Sequence, residues 1–144
     1  MLRQQWVKGA GKLADVHEIR QVVFMDEQKV PFEEEMIPWE DEISLHLIVY
    51  DGDIPAATGR IFMKDDKFVL QRIAVMKDYR GRGLGKLITK ELIKKCLEMG
   101  ANEITLSSQS HAITFYEQFG FVGYTDEYMD AGIPHVSMRY TKIK

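Results

Sequence analysis

The sequence predicts an α/β (α+β) chain: one mixed central β-sheet flanked by helices, in a single domain spanning residues 1–144. Three observations carry this. Apolar runs flank an Asp51-Gly52 turn signal, which reads as a hairpin. Leu84, Ile88, Leu92, Cys96 and Met99 recur at helical spacing just after a glycine-rich turn. Strand-like and helix-like segments follow one another as helix, strands, helix, strand, helix, strands, the pattern of a sheet with helices packed on it. A chain of 144 residues fits one domain. At that length roughly two thirds of the unfolded surface can be buried.

Each element has its own signal. In "LADVHEIRQVVFMDEQ", Leu13, Val16, Ile19 and Val23 form one apolar helical face. "KVPFEEEMIPWEDE" is strongly acidic, and Pro31 and Pro38 interrupt regular structure. "LHLIVYDGDIPAATGRIFMKDDK" is the hairpin, and a second turn at Lys64–Lys67 leads to the apolar strand "FVLQRIAVM". "GLGKLITKELIKKCLEMGA" is a helix that Gly100 stops. "EITLSSQ" is a strand, and "SHAITFYEQFG" is a short helix capped by Ser110 and stopped at Gly120. "FVGYTDEYMDAGIPHVSMRYTK" gives two last strands around Gly132-Ile133-Pro134.

Composition excludes several classes. Net charge is −3, which argues against a general nucleic-acid binder. No apolar run is long enough to span a bilayer, and the first twenty residues lack the apolar stretch of a signal peptide, so we expect a cytoplasmic protein without membrane partners. The single cysteine, Cys96, permits no internal disulfide. It lies on the apolar helical stripe and reads as core. His17, His46, His111 and His135 show no metal-ligand spacing, so we expect no metal.

The stretch "YRGRGLGKLITKEL" is the most informative. Gly81, Gly83 and Gly85 alternate with Arg80, Arg82 and Lys86 at a helix start. Glycine there is costly, so something must come close to the backbone. The cations and the unpaired helix-start amides indicate an anion. A Walker loop does not fit: the position five before Gly85 is Arg80, and Leu87 follows Lys86. A dinucleotide G-x-G-x-x-G does not fit either, because the last glycine is misplaced.

Arg80, Gly83 and Gly85 do match Arg/Gln-x-x-Gly-x-Gly/Ala. This resembles the acyl-CoA signature of the GCN-five-related N-acetyltransferases, the GNAT superfamily. "LQRIAVMKDYRGRGLG" and the run Ala112, Phe115, Tyr116, Gly120, Phe121 extend the likeness over about residues 45 to 125. "RQVVFMDEQKVPFEEE" and "DAGIPHVSM" look like the ElaA/YjcF-like branch of bacterial acetyltransferases.

The resemblance implies a GNAT fold and acetyl-CoA as co-substrate, with an acetyl group passing directly to a small-molecule or peptide amine. It implies that the backbone of Ile73, Ala74 and Val75 binds the pantetheine arm. The amides of Arg80, Gly81, Arg82, Gly83, Leu84, Gly85 and Lys86 would cradle the diphosphate. Tyr116 matches the family tyrosine near the CoA sulfur and is expected to reprotonate the thiolate, with Phe115 facing the core. Gln109 either touches CoA or caps the following helix. Glu34, Glu35 and His135 are expected on the acceptor side. The general base stays open among Glu27, Glu33, Glu34, Glu35, His46 and water. At least two of Glu33–Glu35 read as solvated, Arg20 as a salt-bridge partner of the acidic segment, and Gly132-Ile133-Pro134 as a structural turn. Relatives in the family are often dimers, so a homodimer is one expectation. The rival reading is a non-catalytic CoA-binding module on the same fold.

Overall fold

β-branched and aromatic residues flanking Asp51-Gly52 produce the central hairpin: β2 (Ser44–Asp51) pairs antiparallel with β3 (Ile54–Lys64). Gly52 has φ +62° in the connecting turn, where an L side chain is disfavoured. The structure is a computed structural model that describes residues 2–9 and 11–141. The expected end of the last strand at Lys142 lies outside the described residues. β4 (Lys67–Val75) follows through a tight turn in which Asp65 and Asp66 both have positive φ.

Around these strands the chain adds β1 (Leu2–Lys8), β5 (Glu103–Gln109), β6 (Val122–Gly123), β7 (Tyr128–Asp130) and β8 (Ile133–Thr141). The sheet order is β1-β2-β3-β4-β5-β8-β6, with β7 also paired to β8. β4 and β5 run parallel, and every other pairing is antiparallel. The expected mixed sheet is therefore present. β1 was not anticipated. Its residues are mostly polar and exposed, as suits an edge strand, so they show no alternation to read. The end of the chain holds three strands rather than two: β7 and β8 join through Ala131-Gly132, both at positive φ, a two-residue hairpin turn.

Helices cover both faces. α4 (Leu84–Glu98) buries Leu84, Ile88, Leu92 and Cys96 against Leu47, Val49, Ile61, Leu70 and Met138. Each large aliphatic side chain buried there contributes about 1.5–3 kcal/mol. Gly59 lets α4 approach, since a Cβ on it would meet Ile88 Cγ2 at 2.8 Å and Leu92 Cδ1 at 2.9 Å. α4 ends as expected, with Gly100 at φ +93°. On the other face, Val16 and Ile19 of α1 (Ala14–Arg20) and Val23 pack on Ile48, Tyr50 and Ala74. The first helix does not run on uniformly. From Gln21 to Glu27 it winds as a π-helix, a feature often found near functional sites.

The acidic segment, expected to be irregular, forms two short helices, α2 (Phe32–Glu35) and α3 (Pro38–Glu42). Pro38 sits at the start of α3, where proline is tolerated. After β5 come a 3₁₀ turn (Ser110–Ala112) and α5 (Ile113–Glu117). Ser110 does not cap α5; its hydroxyl donates to Glu127 at 2.7 Å. Gly120 ends this segment at φ +101°.

Candidate active site

The cleft originates in one irregularity of β4. Arg60 pairs with Gln71 and Thr58 with Ala74, so Arg72 and Ile73 together face Gly59 alone. This is a β-bulge, and Arg72 carries its left-handed turn at φ +57°. The parallel pairing with β5 ends at Leu70–Leu106. Past that point β4 and β5 part and leave a cavity of about 310 Å³, lined among others by Gln71, Arg72, Ile73, Gln109, Tyr116 and His135. Among the described residues the β5-side edge of β4 thus has no ladder partner at Ile73, Ala74 and Val75. The Val75 carbonyl accepts a bond from Arg80 Nε at 3.0 Å.

The glycine turn comes just past the end of β4 and is tied back to it by the Arg80–Val75 bond. Gly81 (φ +78°) and Gly83 (φ +79°) are left-handed, and a Cβ on either would meet no atom within 4 Å. Leu87 N–H donates to the Gly83 carbonyl at 3.0 Å as the first helical bond. By helix geometry, the amides of Leu84, Gly85 and Lys86 therefore have no carbonyl one turn back. The loop cations are not equivalent. Arg80 Nη2 is paired with Glu27 at 2.6 Å, and Arg82 lies over the Tyr79 ring. Lys86 is exposed.

Tyr116 reaches both core and cleft. It packs on the main core and, edge-on, against Phe115 and Phe121, and it lines the cavity. Burial pushes its phenol up to about 12. Phe115, expected to face the core, lies instead beside Gly85, and Tyr116 packs on the main core as well as lining the cavity. Gln109 makes no helix cap; its amide donates to Gln28 Oε1 at 2.8 Å across the cleft.

A second cavity of about 310 Å³ shares Phe24, Gln28, Gln71, Arg72, Gln109, Asp130 and His135 with the first and is roofed by α2 and α3. Glu34, Glu35 and His135 all line it. Their states differ. Glu33 and Glu34 are exposed, while Glu35 is 1% exposed and bound by Arg20 Nε at 2.8 Å. Arg72 Nε lies 2.9 Å from Glu35 Oε1 as an ion pair, at an angle that makes no hydrogen bond.

Arg20 is the salt-bridge residue expected. Its Nη1 donates to Asp41 Oδ1 at 2.6 Å, and Arg60 Nη1 donates to the same oxygen at 2.7 Å. Burial pushes the Asp41 carboxyl up, but the two arginines outweigh it and hold it below the usual value. This buried lattice ties the roof to β3 and β4. It also engages Glu35 through Arg20 and leaves His46 fully buried beside the Asp41 carbonyl, while Glu27 is paired separately with Arg80 nearer the surface. Sequence reasoning missed Arg60, Gln71, Gln28 and Asp130. Only Arg60 left a signal, as a charge inside an apolar strand. Among the described residues no group of three His, Cys, Asp or Glu side chains could hold a metal ion, and no helix is long and apolar enough to cross a membrane.

This fold recurs among solved structures. A Bacillus subtilis acetyltransferase solved in complex with CoA shares it, with a TM-score of 0.72 at 16% identity over 99% of this chain and 100% of that one. The sequence itself matches the acetyltransferase (GNAT) domain over residues 15–142, and the chain belongs to that family. It is 42% identical to the uncharacterized N-acetyltransferase YjcF of Bacillus subtilis (strain 168) over 132 residues, 91% of this chain and 94% of that protein. The crystal structure of Escherichia coli ElaA superposes with a TM-score of 0.88 at 26% identity, covering 97% of this chain and 99% of that one. The ElaA/YjcF-like likeness read from the sequence is borne out.

Proposed function

We propose that residues 1–144 form one acetyl-CoA-dependent N-acetyltransferase domain that passes the acetyl group directly to a primary amine. The observation that carries this is the parting of β4 and β5 beyond Leu70–Leu106, with the glycine turn just past the end of β4. A bare strand edge at Ile73–Val75 suits the amide-bearing pantetheine arm. The open turn and the unpaired amides of Leu84, Gly85 and Lys86 suit its diphosphate, whereas the Arg80 amide, expected in the cradle, is already given to the Lys77 carbonyl at 3.2 Å. Arg82 and Lys86 add charge, and Arg80 braces the turn through Glu27 and the Val75 carbonyl. The CoA-bound relative of the same fold supports the choice of donor.

In this reading the thioester lies between Tyr116 and Gln109, and the amine enters beneath α2. The amine attacks the carbonyl carbon, a β4 backbone N–H takes the oxyanion, the C–S bond breaks, and the thiolate leaves. Tyr116, protonated at neutral pH, supplies the proton to sulfur. Glu34 and His135 form the acceptor wall, and Glu35 acts through Arg72. Calorimetric titration with acetyl-CoA, against ATP and NAD, tests the donor. Saturable binding of acetyl-CoA alone is expected, and preference for ATP or NAD would overturn the assignment.

A further inference from the structure

We infer that His135 is the general base that takes the proton from the acceptor's ammonium group; this rests on the acetyltransferase reading above. The first support is position. His135 lies on β8, opposite Gln109 of β5 and opposite Tyr128 of β7. It lines both the cavity that holds Tyr116 and the one beneath the roof. It is buried, with 9% of its surface exposed, so it is positioned rather than solvated.

The second support is its hydrogen bonding. His135 Nδ1 lies 2.7 Å from the Ile133 carbonyl oxygen. A carbonyl can only accept, so in the neutral ring Nδ1 carries the hydrogen and Nε2 carries the lone pair. Among the described residues no side chain or carbonyl occupies Nε2. The ring plane is held by stacking on Tyr128, at 6.2 Å between centroids and 21° between planes. The Tyr128 hydroxyl in turn meets Ser137 Oγ at 2.7 Å and Ser107 Oγ. The imidazole is therefore fixed in tautomer and orientation with its basic nitrogen unused, the state a base requires.

The third support is the condition of the alternatives. Glu35 is held by Arg20 and Arg72, Glu40 by Arg60, and Glu27 by Arg80. Glu34 lines only the roofed half, and His111 only the half with Tyr116. Asp130 lines both but is exposed, and carboxylates as a class are weaker bases near pH 7 than imidazole. The protons balance. One passes from the ammonium to Nε2 and on to water, and the amine nitrogen bonds to the acetyl carbon as C–S breaks. The second leaves that nitrogen as the thiolate is protonated by Tyr116, whose hydroxyl then takes it.

The test compares wild type with His135→Asn, whose side-chain N–H can keep the bond to Ile133 while Nε2 is lost. The acceptors are spermidine, glucosamine, lysine amide and benzylamine, with hydroxylamine as a nucleophile already neutral at pH 7. Expected for His135→Asn is unchanged acetyl-CoA affinity and a kcat on the alkylamines lowered about 10²–10⁴-fold. That rate should climb tenfold per pH unit with the free amine. Hydroxylamine turnover should persist, and added imidazole should restore part of the lost rate. Tyr128, Asp130, Glu34, Glu35, Glu40 and Arg72 face the same space and stay intact, so any slope they cause appears in wild type too. Nitrogen NMR of wild type should show Nδ1 protonated and Nε2 bare. A wild-type kcat in His135→Asn, or the opposite tautomer, overturns the base assignment alone. No acetyl-CoA binding by wild type overturns the acetyltransferase reading itself. Binding without transfer to any of these amines overturns the base together with catalysis.

Discussion

The guanidinium of Arg80 lies 2.6 Å from Glu27 Oε1, joining the end of the π-helical segment to the start of the glycine turn across 53 residues of sequence. The bond holds the Glu27 carboxyl below its usual range. A half-exposed pair of this kind is worth only about 0.2–1 kcal/mol once solvent screens it. Arg80→Ala should therefore weaken acetyl-CoA binding less than tenfold, by loosening the turn. Gly83→Val should weaken it about a hundredfold or more, because a β-branched residue cannot settle at φ +79° and its side chain would fill the open face of the turn. Calorimetry on both variants, with melting temperatures as the folding control, checks the contrast. Equal losses would contradict it.

Tyr116→Phe should lower kcat with little change in acetyl-CoA affinity. Because burial raises the phenol to about 12, it stays protonated through the working range and places no limb on the pH–rate profile below about pH 10. The same shift adds stability that is complete below the unfolded value near 10 and fades as pH rises toward 12. An undiminished kcat in the variant would remove Tyr116 from the acid role.

Asp41→Asn should destabilise the fold by about 3–5 kcal/mol, since it leaves Arg20 and Arg60 buried with one charge too few. A fall in Tm of roughly 10 °C or more is expected for a chain of this size. The sign of the pH effect follows from the lowered carboxyl. The wild-type contribution is present above about pH 3.9 and is lost as pH falls through the lower folded value. His46, lowered by burial, weakens the fold earlier, as pH drops below about 6.5. Thermal melts from pH 7 to pH 3 read both steps.

Cys96 has no exposed surface, and burial pushes its thiol up to about 12. It should resist thiol reagents in the native protein and react fully in denaturant. Cys96→Ala should keep transferase activity, as direct transfer requires. Acetylation of Cys96 during turnover would contradict that route.

The hairpin at Asp51-Gly52, α4 with its Gly100 stop and the glycine turn were legible because each follows from local chemistry: turn residues, helical spacing, or a backbone that must admit an anion. The cleft was less legible because its cause is long-range. Nothing in "LQRIAV" announces that Arg72 adopts φ +57° and turns β4 away from β5. The roof shows the same limit. Glu33, Glu34 and Glu35 are alike in sequence, yet only Glu35 is buried, because Arg20 and Arg72 converge on it from two other elements. Gln28 and Asp130 reach the cleft from segments about a hundred residues apart, a proximity that only the folded sheet creates.

The central claim is tested most directly by following free CoA thiol released from acetyl-CoA, with and without the amine panel. The account predicts amine-dependent thiol release matched by an equal amount of acetylated amine. Saturable acetyl-CoA binding with no amine-dependent release would contradict it, and would mark the chain as a CoA-binding module on an acetyltransferase fold.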